Sequence, residues 1–290
     1  MNILITGSDG QLGKEFRMLS IKAPKPIHRY IFANKNDMDI TDAKNIENFI
    51  EKNSINIIIN CAAYTKVDKA EEEKGIADMI NHTAINNLSS ICRKRDIPLI
   101  HISTDYVFDG KNSKPYNETD KTNPKCFYGV TKLKGEIAFA DSKAKGVIIR
   151  TSWLYGKYGE NFVNKMIKLP NKNKKLDVVF DQIGTPTYSK DLALAIVHIV
   201  NNHFDKLNRF EAEIFHYSNE GVASWYDLSK AIFEIENIGI KLNPIESKHL
   251  YAKAKRPHYS VLNKEKIKKE FGLTIPYWRD SLKIYLGNIK

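Results

Sequence analysis

Short, wholly apolar runs alternate with longer mixed stretches through the first half of the chain. The runs are NILIT (2–6), YIFA (30–33), NIIINC (56–61), PLIHIS (98–103) and GVIIRT (146–151). They are continuous in hydrophobicity rather than alternating, as strands are when both faces are buried, and stretches of helical period lie between them. Two of these stretches show their starts. TDAKNIENFIEKN opens on a Thr or Asp cap and puts Ile46, Phe49 and Ile50 on one face; SKDLALAIVHIVNN opens at Ser189 and repeats Leu192, Ala195, Ile196 and Ile199. Strand and helix in that rhythm predict an α/β fold of Rossmann type, a doubly wound parallel sheet with helices on both faces.

Beyond residue 155 the rhythm loosens. KLDVVFD (175–181) and EIFHYSN (213–219) read as further strands around the loop QIGTPTYS, and the tail is mainly helical between Pro244, Pro257 and Pro276. This predicts a smaller C-terminal α/β lobe interleaved with the sheet. Residues 1–155 with about 189–220 would form the sheet domain, and about 156–188 with 221–290 the lobe.

Composition narrows the class without changing the fold. The chain has 290 residues, 42% hydrophobic and 27% charged, which is a globular balance. MNILITGSDG has no basic leader and only a four-residue apolar stretch, too short for a signal or a span. Cys61, Cys92 and Cys126 lack metal-type spacing, and the eight histidines are scattered. A cytoplasmic setting, reduced thiols and no metal are therefore expected. The formal charge of +11 invites a nucleic-acid reading, but CRKRD, NKNKK and NKEKIKKE lie far apart with no nucleic-acid motif beside them. Solvated surface and anionic small ligands are the expectation, with neither nucleic acid nor membrane as partner.

The first candidate for chemistry follows the first strand. NILIT runs into GSDGQLG, so Gly7, Gly10 and Gly13 precede a helix that starts near Gln11. Glycines there permit a tight turn and close approach of a pyrophosphate to backbone N–H groups at a helix start. The spacing is GxxGxxG rather than the commoner GxGxxG. After the second strand, YIFANKNDMDITD places no acid at the strand end; Lys35 is close, and Asp37 and Asp39 follow. NADH and NADPH both stay open, and Asp39 reads as either a cofactor contact or a loop cap.

The second candidate is YGVTK, which sets Tyr128 and Lys132 on one face of a helix. A phenol with a pKa ordinarily near 10 becomes a useful acid–base group when a neighbouring ammonium stabilises its anion. Tyr226/Lys230 and Tyr251/Lys255 have the same spacing, but only Tyr128/Lys132 lies within the α/β half. It also follows HISTDYVFDG (101–110), whose Thr104 and Asp105 end the fourth strand. Ligands of open α/β sheets sit at such carboxyl ends.

Seven stretches in order, GxxGQLG, NCAAYTKVDKAE (60–71), STDYVFDG (103–110), YGVTKLKGE (128–136), RTSWLYG (150–156), DQIGTPT (181–187) and RPHYSVLN (256–263), together resemble the dTDP-4-dehydrorhamnose reductases. These are extended members of the short-chain dehydrogenase/reductases. The resemblance implies reduction by NADPH or NADH of the 4-keto group of dTDP-4-dehydro-L-rhamnose (dTDP-6-deoxy-L-lyxo-4-hexulose) to dTDP-L-rhamnose. It implies that Tyr128 donates the proton, that Lys132 binds the nicotinamide ribose and lowers the phenol pKa, and that Thr104 hydrogen-bonds at the reacting oxygen. Gly7, Gly10, Gln11, Leu12, Gly13, Asp39, Ile40, Ala63, Tyr64 and Thr65 would contact the cofactor. Thr104, Asp105, Tyr106 and Trp153 would contact the sugar nucleotide, and Arg256 its diphosphate, which suits a planar guanidinium. The sheet domain would then hold NAD(P) and the lobe the sugar nucleotide.

Related sugar-nucleotide enzymes share the glycine loop and the Tyr/Lys pair, and among them the family resemblance gives 4,6-dehydratases an Asp-Glu pair directly after the Thr. Here the positions read Asp105-Tyr106, which points to simple reduction. A reductase or epimerase of another nucleotide 4-keto-hexose and a non-catalytic nucleotide-binding subunit remain as alternatives. The resemblance also admits Mg²⁺ and a homodimer, since some relatives form dimers through acidic C-terminal residues and Mg²⁺; SLKIYLGNIK carries no acid, which puts that metal-linked dimer in doubt. Cys126, two residues before Tyr128, would make activity oxidation-sensitive if its thiol were accessible. Asn81 is assigned no role.

Overall fold

The computed structural model describes residues 1–22, 27–169, 175–249 and 251–288; most of NKNKK and the last two residues of SLKIYLGNIK lie outside them. In chain order the first half comprises β1 (Asn2–Thr6), α1 (Gln11–Lys22), β2 (Arg29–Ala33), α2 (Ala43–Asn53) and β3 (Ile57–Asn60). It continues with α3 (Lys74–Asp78), a π turn (Met79–Thr83), α4 (Ala84–Arg95), β4 (Leu99–Thr104), α5 (Phe127–Asp141) and β5 (Gly146–Thr151). The strands fall on the expected apolar runs to within a residue. In α2 the cap is Asp42, whose side chain accepts the N–H groups of Lys44 and Asn45.

The second half carries β6 (Leu154–Tyr155), α6 (Phe162–Ile167), β7 (Lys175–Val179), β8 (Ile183–Gly184), β9 (Thr187–Tyr188), α7 (Ser189–Leu207) and β10 (Glu213–His216). Then come β11 (Ala223–Ser224), α8 (Trp225–Glu236), β12 (Lys241–Ile245), α9 (Glu265–Phe271) and α10 (Trp278–Asn288). Six strands form one parallel sheet in the order β10-β5-β4-β3-β1-β2. The chain moves from β1 outward to β2 and returns to the other side of β1 at β3. That reversal opens a crevice beyond the carboxyl ends of β1 and β3, where the glycine turn lies.

Both faces of the sheet are covered. Ile3, Ile5, Ile57, Ile59, Ile100, Val147 and Ile149 pack against Leu12 and Phe16 of α1, Leu192, Ile196 and Ile199 of α7, and Ile267 and Phe271 of α9. On the other face Leu4, Ile58, Leu99 and Ile148 pack against Ile46, Ile50, Leu88 and Phe139 from α2, α4 and α5. Moving along this second face towards the carboxyl ends, the same alternate positions become polar: Thr6, Asn60, His101, Ser103 and Arg150, all buried. Strand periodicity thus delivers a polar row to the site while the rest of the face stays apolar. A further cluster around Tyr155, Val163, Tyr188, Leu228, Ile232, Trp278 and Leu282 makes the C-terminal core.

Candidate active site

The turn after β1 is built for close approach. Gly7 has φ +60°, and a Cβ there would lie 2.6 Å from the Ala62 nitrogen. A Cβ on Gly13 would lie 2.5 Å from the Gly7 carbonyl oxygen, so α1 rests directly on the turn. Gly10 differs: that carbonyl, at 3.1 Å, is the one atom near its absent Cβ, and the other side is open. With no acid in the first turn of α1, the loop fits a pyrophosphate.

Beside it lies a cleft of about 540 Å³. Gly10, Gln11, Leu12, Ala63, Thr65, Thr104, Asp105, Tyr106, Tyr128, Lys132 and Trp153 all line it. A more open hollow of about 800 Å³ at the amino ends of β1, β3 and β4, lined by Met1, Asn56, Arg95 and Pro98 among others, holds none of these groups.

Helix α5 carries Tyr128 and Lys132, and its start is fixed from outside. The Phe127 N–H donates to the Glu71 carboxylate at 2.7 Å, and no side-chain cap comes from Cys126. Gly129 lets the helix close on the turn after β4: a Cβ there would lie 2.3 Å from the Tyr106 carbonyl oxygen. Gly129→Ala must push α5 off that turn and carry Tyr128 with it. A shift near 1 Å is expected to cost kcat about a hundredfold, with NADPH affinity nearly unchanged; steady-state kinetics and a fluorescence titration check this.

Tyr128 is buried and packs edge-on against Tyr106, ring centres 5.6 Å apart at 76°. Burial raises its phenol pKa, and a hydrogen bond with Thr104 opposes the rise. The Thr104 hydroxyl also donates to Asp105 at 3.1 Å and accepts the Tyr106 N–H at 3.2 Å. Burial holds the Asp105 carboxyl up at about 6, against the hydrogen bonds of Ser260 and Thr104. Lys132 is buried one turn beyond Tyr128; burial lowers its ammonium to about 8, with Glu136 acting the other way. Its Nζ donates to the Ile102 carbonyl at 2.7 Å and lies 3.3 Å from Nε2 of His101. The interaction that lowers the phenol pKa thus comes from Thr104, while Lys132 is engaged by β4.

Trp153 has φ +45°, a left-handed conformation that a bulky residue keeps only when its surroundings hold it. It stacks on Trp225 at 3.6 Å and 6°, and Trp225 donates its indole N–H to Gln182 at 3.2 Å. The two indoles make a flat wall to the cleft.

Other expected residues stand elsewhere. The Asp39 carboxylate accepts the N–H and hydroxyl of Thr41 at 2.9 and 2.7 Å, which lowers its pKa, so it caps its own loop. Ile40 packs in the core of the α2–α4 face, and Tyr64 places its hydroxyl on Glu73 at 2.5 Å. None of the three lines the cleft. Arg256 also stays outside it, with both terminal nitrogens on Asp68 at 3.2 and 2.6 Å. The Cys126 thiol is 5% exposed and pushed up by burial to about 11, which opposes the expected oxidation sensitivity.

Three residues escaped the sequence reading. Asn81, in the π turn, exchanges hydrogen bonds with the backbone of Tyr64 at 2.9 and 3.0 Å and donates to Thr131 of α5 at 3.1 Å. It ties the loop after β3 to the helix of Tyr128. Trp225 is the first residue of α8, inside the capping box of Ser224 and Asp227, a local signal that was legible. Asn161 caps α6 and donates to Gln11 at 2.8 Å, joining the lobe to the phosphate loop across 150 residues.

Comparison with known proteins places this geometry. The family described as RmlD substrate binding domain matches residues 1–290. A dTDP-4-dehydrorhamnose reductase of Sinorhizobium fredii is 36% identical over 97% of this chain and 95% of its own. A dTDP-4-keto-6-deoxy-D-glucose reductase of Streptomyces niveus is 36% identical over 96% and 94%. The crystal structure of a dTDP-4-dehydrorhamnose reductase of Bacillus anthracis in complex with NADP matches with a TM-score of 0.90 at 35% identity, covering 99% of both chains. A family match over the whole chain, with the glycine loop, Thr104, Tyr128 and Lys132 gathered at one cleft, assigns the chain to the dTDP-4-dehydrorhamnose reductase family.

Proposed function

We propose that the protein is an NAD(P)H-dependent oxidoreductase that reduces the 4-keto group of dTDP-4-dehydro-L-rhamnose to dTDP-L-rhamnose. One observation carries the reading: a buried phenol hydrogen-bonded with Thr104 opens on the same cleft as the phosphate loop, with Tyr106 after Asp105 where a dehydratase needs a second acid. Bound NAD(P)H supplies the hydride. Tyr128 is kept protonated by burial and gives its proton to the substrate oxygen as negative charge develops there. Thr104 turns its one proton from Asp105 to that oxygen, and the Lys132 ammonium, one turn along α5 and held by the Ile102 carbonyl, holds the nicotinamide ribose and keeps positive charge beside the reacting groups. Gly7, Gly10, Gln11, Leu12 and Gly13 hold the pyrophosphate, and the backbone of Ala63 to Thr65, fixed by Asn81, flanks it.

In this proposal residues 1–155 with about 189–220 hold the cofactor, and about 156–188 with 221–290 hold the sugar nucleotide. Trp153 and Trp225 give the sugar nucleotide a flat wall, and Asp105 and Tyr106 face it. Arg256 reaches the diphosphate only by leaving Asp68, whereas Lys165 already lines the cleft. The end of β2 supports NADPH, because Asp39 is taken by Thr41 while Lys35 stands near enough to lower its pKa. Among the described residues no helix is long and apolar enough to cross a membrane, and a cytoplasmic site of action is proposed. A homodimer is likewise proposed, to be read by light scattering.

The identity of the Streptomyces niveus relative supports a second reading, direct reduction of dTDP-4-keto-6-deoxy-D-glucose. Cofactor oxidation starting from that sugar, with and without a 3,5-epimerase and with each cofactor, separates the two. Turnover is expected only with the epimerase and faster with NADPH. Equal turnover without the epimerase moves the substrate to the second reading, and cofactor binding without any oxidation leaves a non-catalytic subunit.

A further inference from the structure

We propose that His101 is a positioning residue for Lys132: held in one tautomer by Asn60, it turns its Nε2–H towards Nζ and favours the uncharged amine. This rests on the reading of Lys132 as the active-site cation.

Thr6, Asn60 and His101 lie in register on neighbouring strands β1, β3 and β4, and each is buried. The Asn60 oxygen accepts the Thr6 hydroxyl at 2.5 Å and the Ala62 N–H at 3.3 Å. Two donors on that oxygen fix the amide, so its nitrogen faces Nδ1 of His101 at 3.0 Å. An amide nitrogen only donates, which makes Nδ1 the acceptor. Burial, with the facing Lys132, holds His101 well below its ordinary pKa, so the ring is neutral and its one proton sits on Nε2.

Nε2 lies 3.3 Å from the Lys132 Nζ, which donates to the Ile102 carbonyl at 2.7 Å. An ammonium has three hydrogens and no lone pair, so the charged form meets His101 donor to donor. The neutral amine accepts from Nε2–H and still donates to Ile102. Beside His101, the ionisable group that acts on Lys132 is Glu136, one turn further along α5, while Tyr128 lies one turn before it and Asp105 acts on Tyr128. Glu136 favours the charge but also accepts from Arg150 and from Ser103. An ordinary core histidine would be indifferent to the charge of its neighbour; this one is not.

The test is the pH profile of kcat in the full-length enzyme, with NADPH affinity and Tm measured alongside. The wild-type alkaline limb, where Lys132 loses its charge, is expected near its value of about 8. His101→Leu removes the opposing donor without rehydrating the amine, and the limb is expected to rise by about one pH unit, a tenfold change in proton affinity. Burial in a more apolar site acts in the opposite direction, so a rise is specific to the donor. His101→Gln restores an acceptor towards Asn60 and a donor towards Nζ, and the limb is expected to return to the wild-type position. Asn60→Ala frees the ring to turn its lone pair to the ammonium, and it too should raise the limb; it decides the matter if His101→Leu does not fold. An unmoved or lowered limb in the folded variants overturns the proposal, as does a limb in His101→Gln that rises as far as in His101→Leu. Lys132→Met separates this from the underlying reading: kcat and limb unchanged there remove Lys132 from the site, whereas a lost limb beside unmoved His101 variants removes only His101.

Discussion

Tyr128→Phe is expected to lower kcat about a thousandfold while leaving the NADPH dissociation constant within about twofold, because a positioned general acid contributes roughly 10²- to 10⁴-fold. The substitution is close to a single-atom deletion. Phe keeps the ring that packs edge-on against Tyr106, and the lost hydroxyl has Thr104 as a partner that still bonds Asp105 and the Tyr106 N–H. Stability should therefore change little, and kcat and kcat/KM should fall together, as they do when an interaction of the transition state alone is removed. Near-normal turnover would sink the assignment. A residual rate that rises as pH falls through about 6 would instead move the proton to Asp105, whose buried carboxyl is held at that value.

The parts of this site that were readable in the sequence are those coded by local physics. Buried parallel strands announce themselves as unbroken apolar runs, and the switch to Thr104 and Asp105 at the end of one run marks a strand end facing a ligand. The Tyr/Lys spacing alone was worthless, and context chose among three matches: in the structure Tyr226 and Lys230 sit on α8 in the lobe, and Tyr251 is 90% exposed outside any helix. What stayed hidden depends on contacts between distant residues. Arg256 finds Asp68 across 188 positions and Asn161 finds Gln11 across 150, and no periodicity encodes either meeting. Apart from the five-residue pair β7 and β12, the small sheets of the second half pair strands of two residues, too short to leave a pattern. Asp39 was ambiguous for a different reason: a carboxylate two residues before a Thr satisfies that residue's N–H as readily as a ribose hydroxyl.

Arg150→Met is expected to destabilise the protein by about 3–5 kcal/mol, the usual cost of leaving one charge of a buried pair without its partner. Arg150 on β5 donates to both oxygens of Glu136 on α5, at 3.0 and 2.7 Å, and the two side chains are 2% and 3% exposed. Ser103 donates to the same carboxylate at 2.5 Å, and the guanidinium lies over the Phe108 ring at 5.1 Å. Thermal unfolding should fall by roughly 6–15 °C for a chain of this size. Removing both charges, as in the Arg150→Met, Glu136→Leu double variant, is expected to restore most of that loss, because an apolar pair of similar volume needs no desolvation. Recovered stability would still not restore the wild-type pH profile. Glu136 acts to keep Lys132 charged, so its loss should move the alkaline limb of kcat below the wild-type position, opposite in sign to His101→Leu. A double variant that regains stability yet keeps its limb in place would show that the buried pair supports only the fold, and that the charge of Lys132 is set without it.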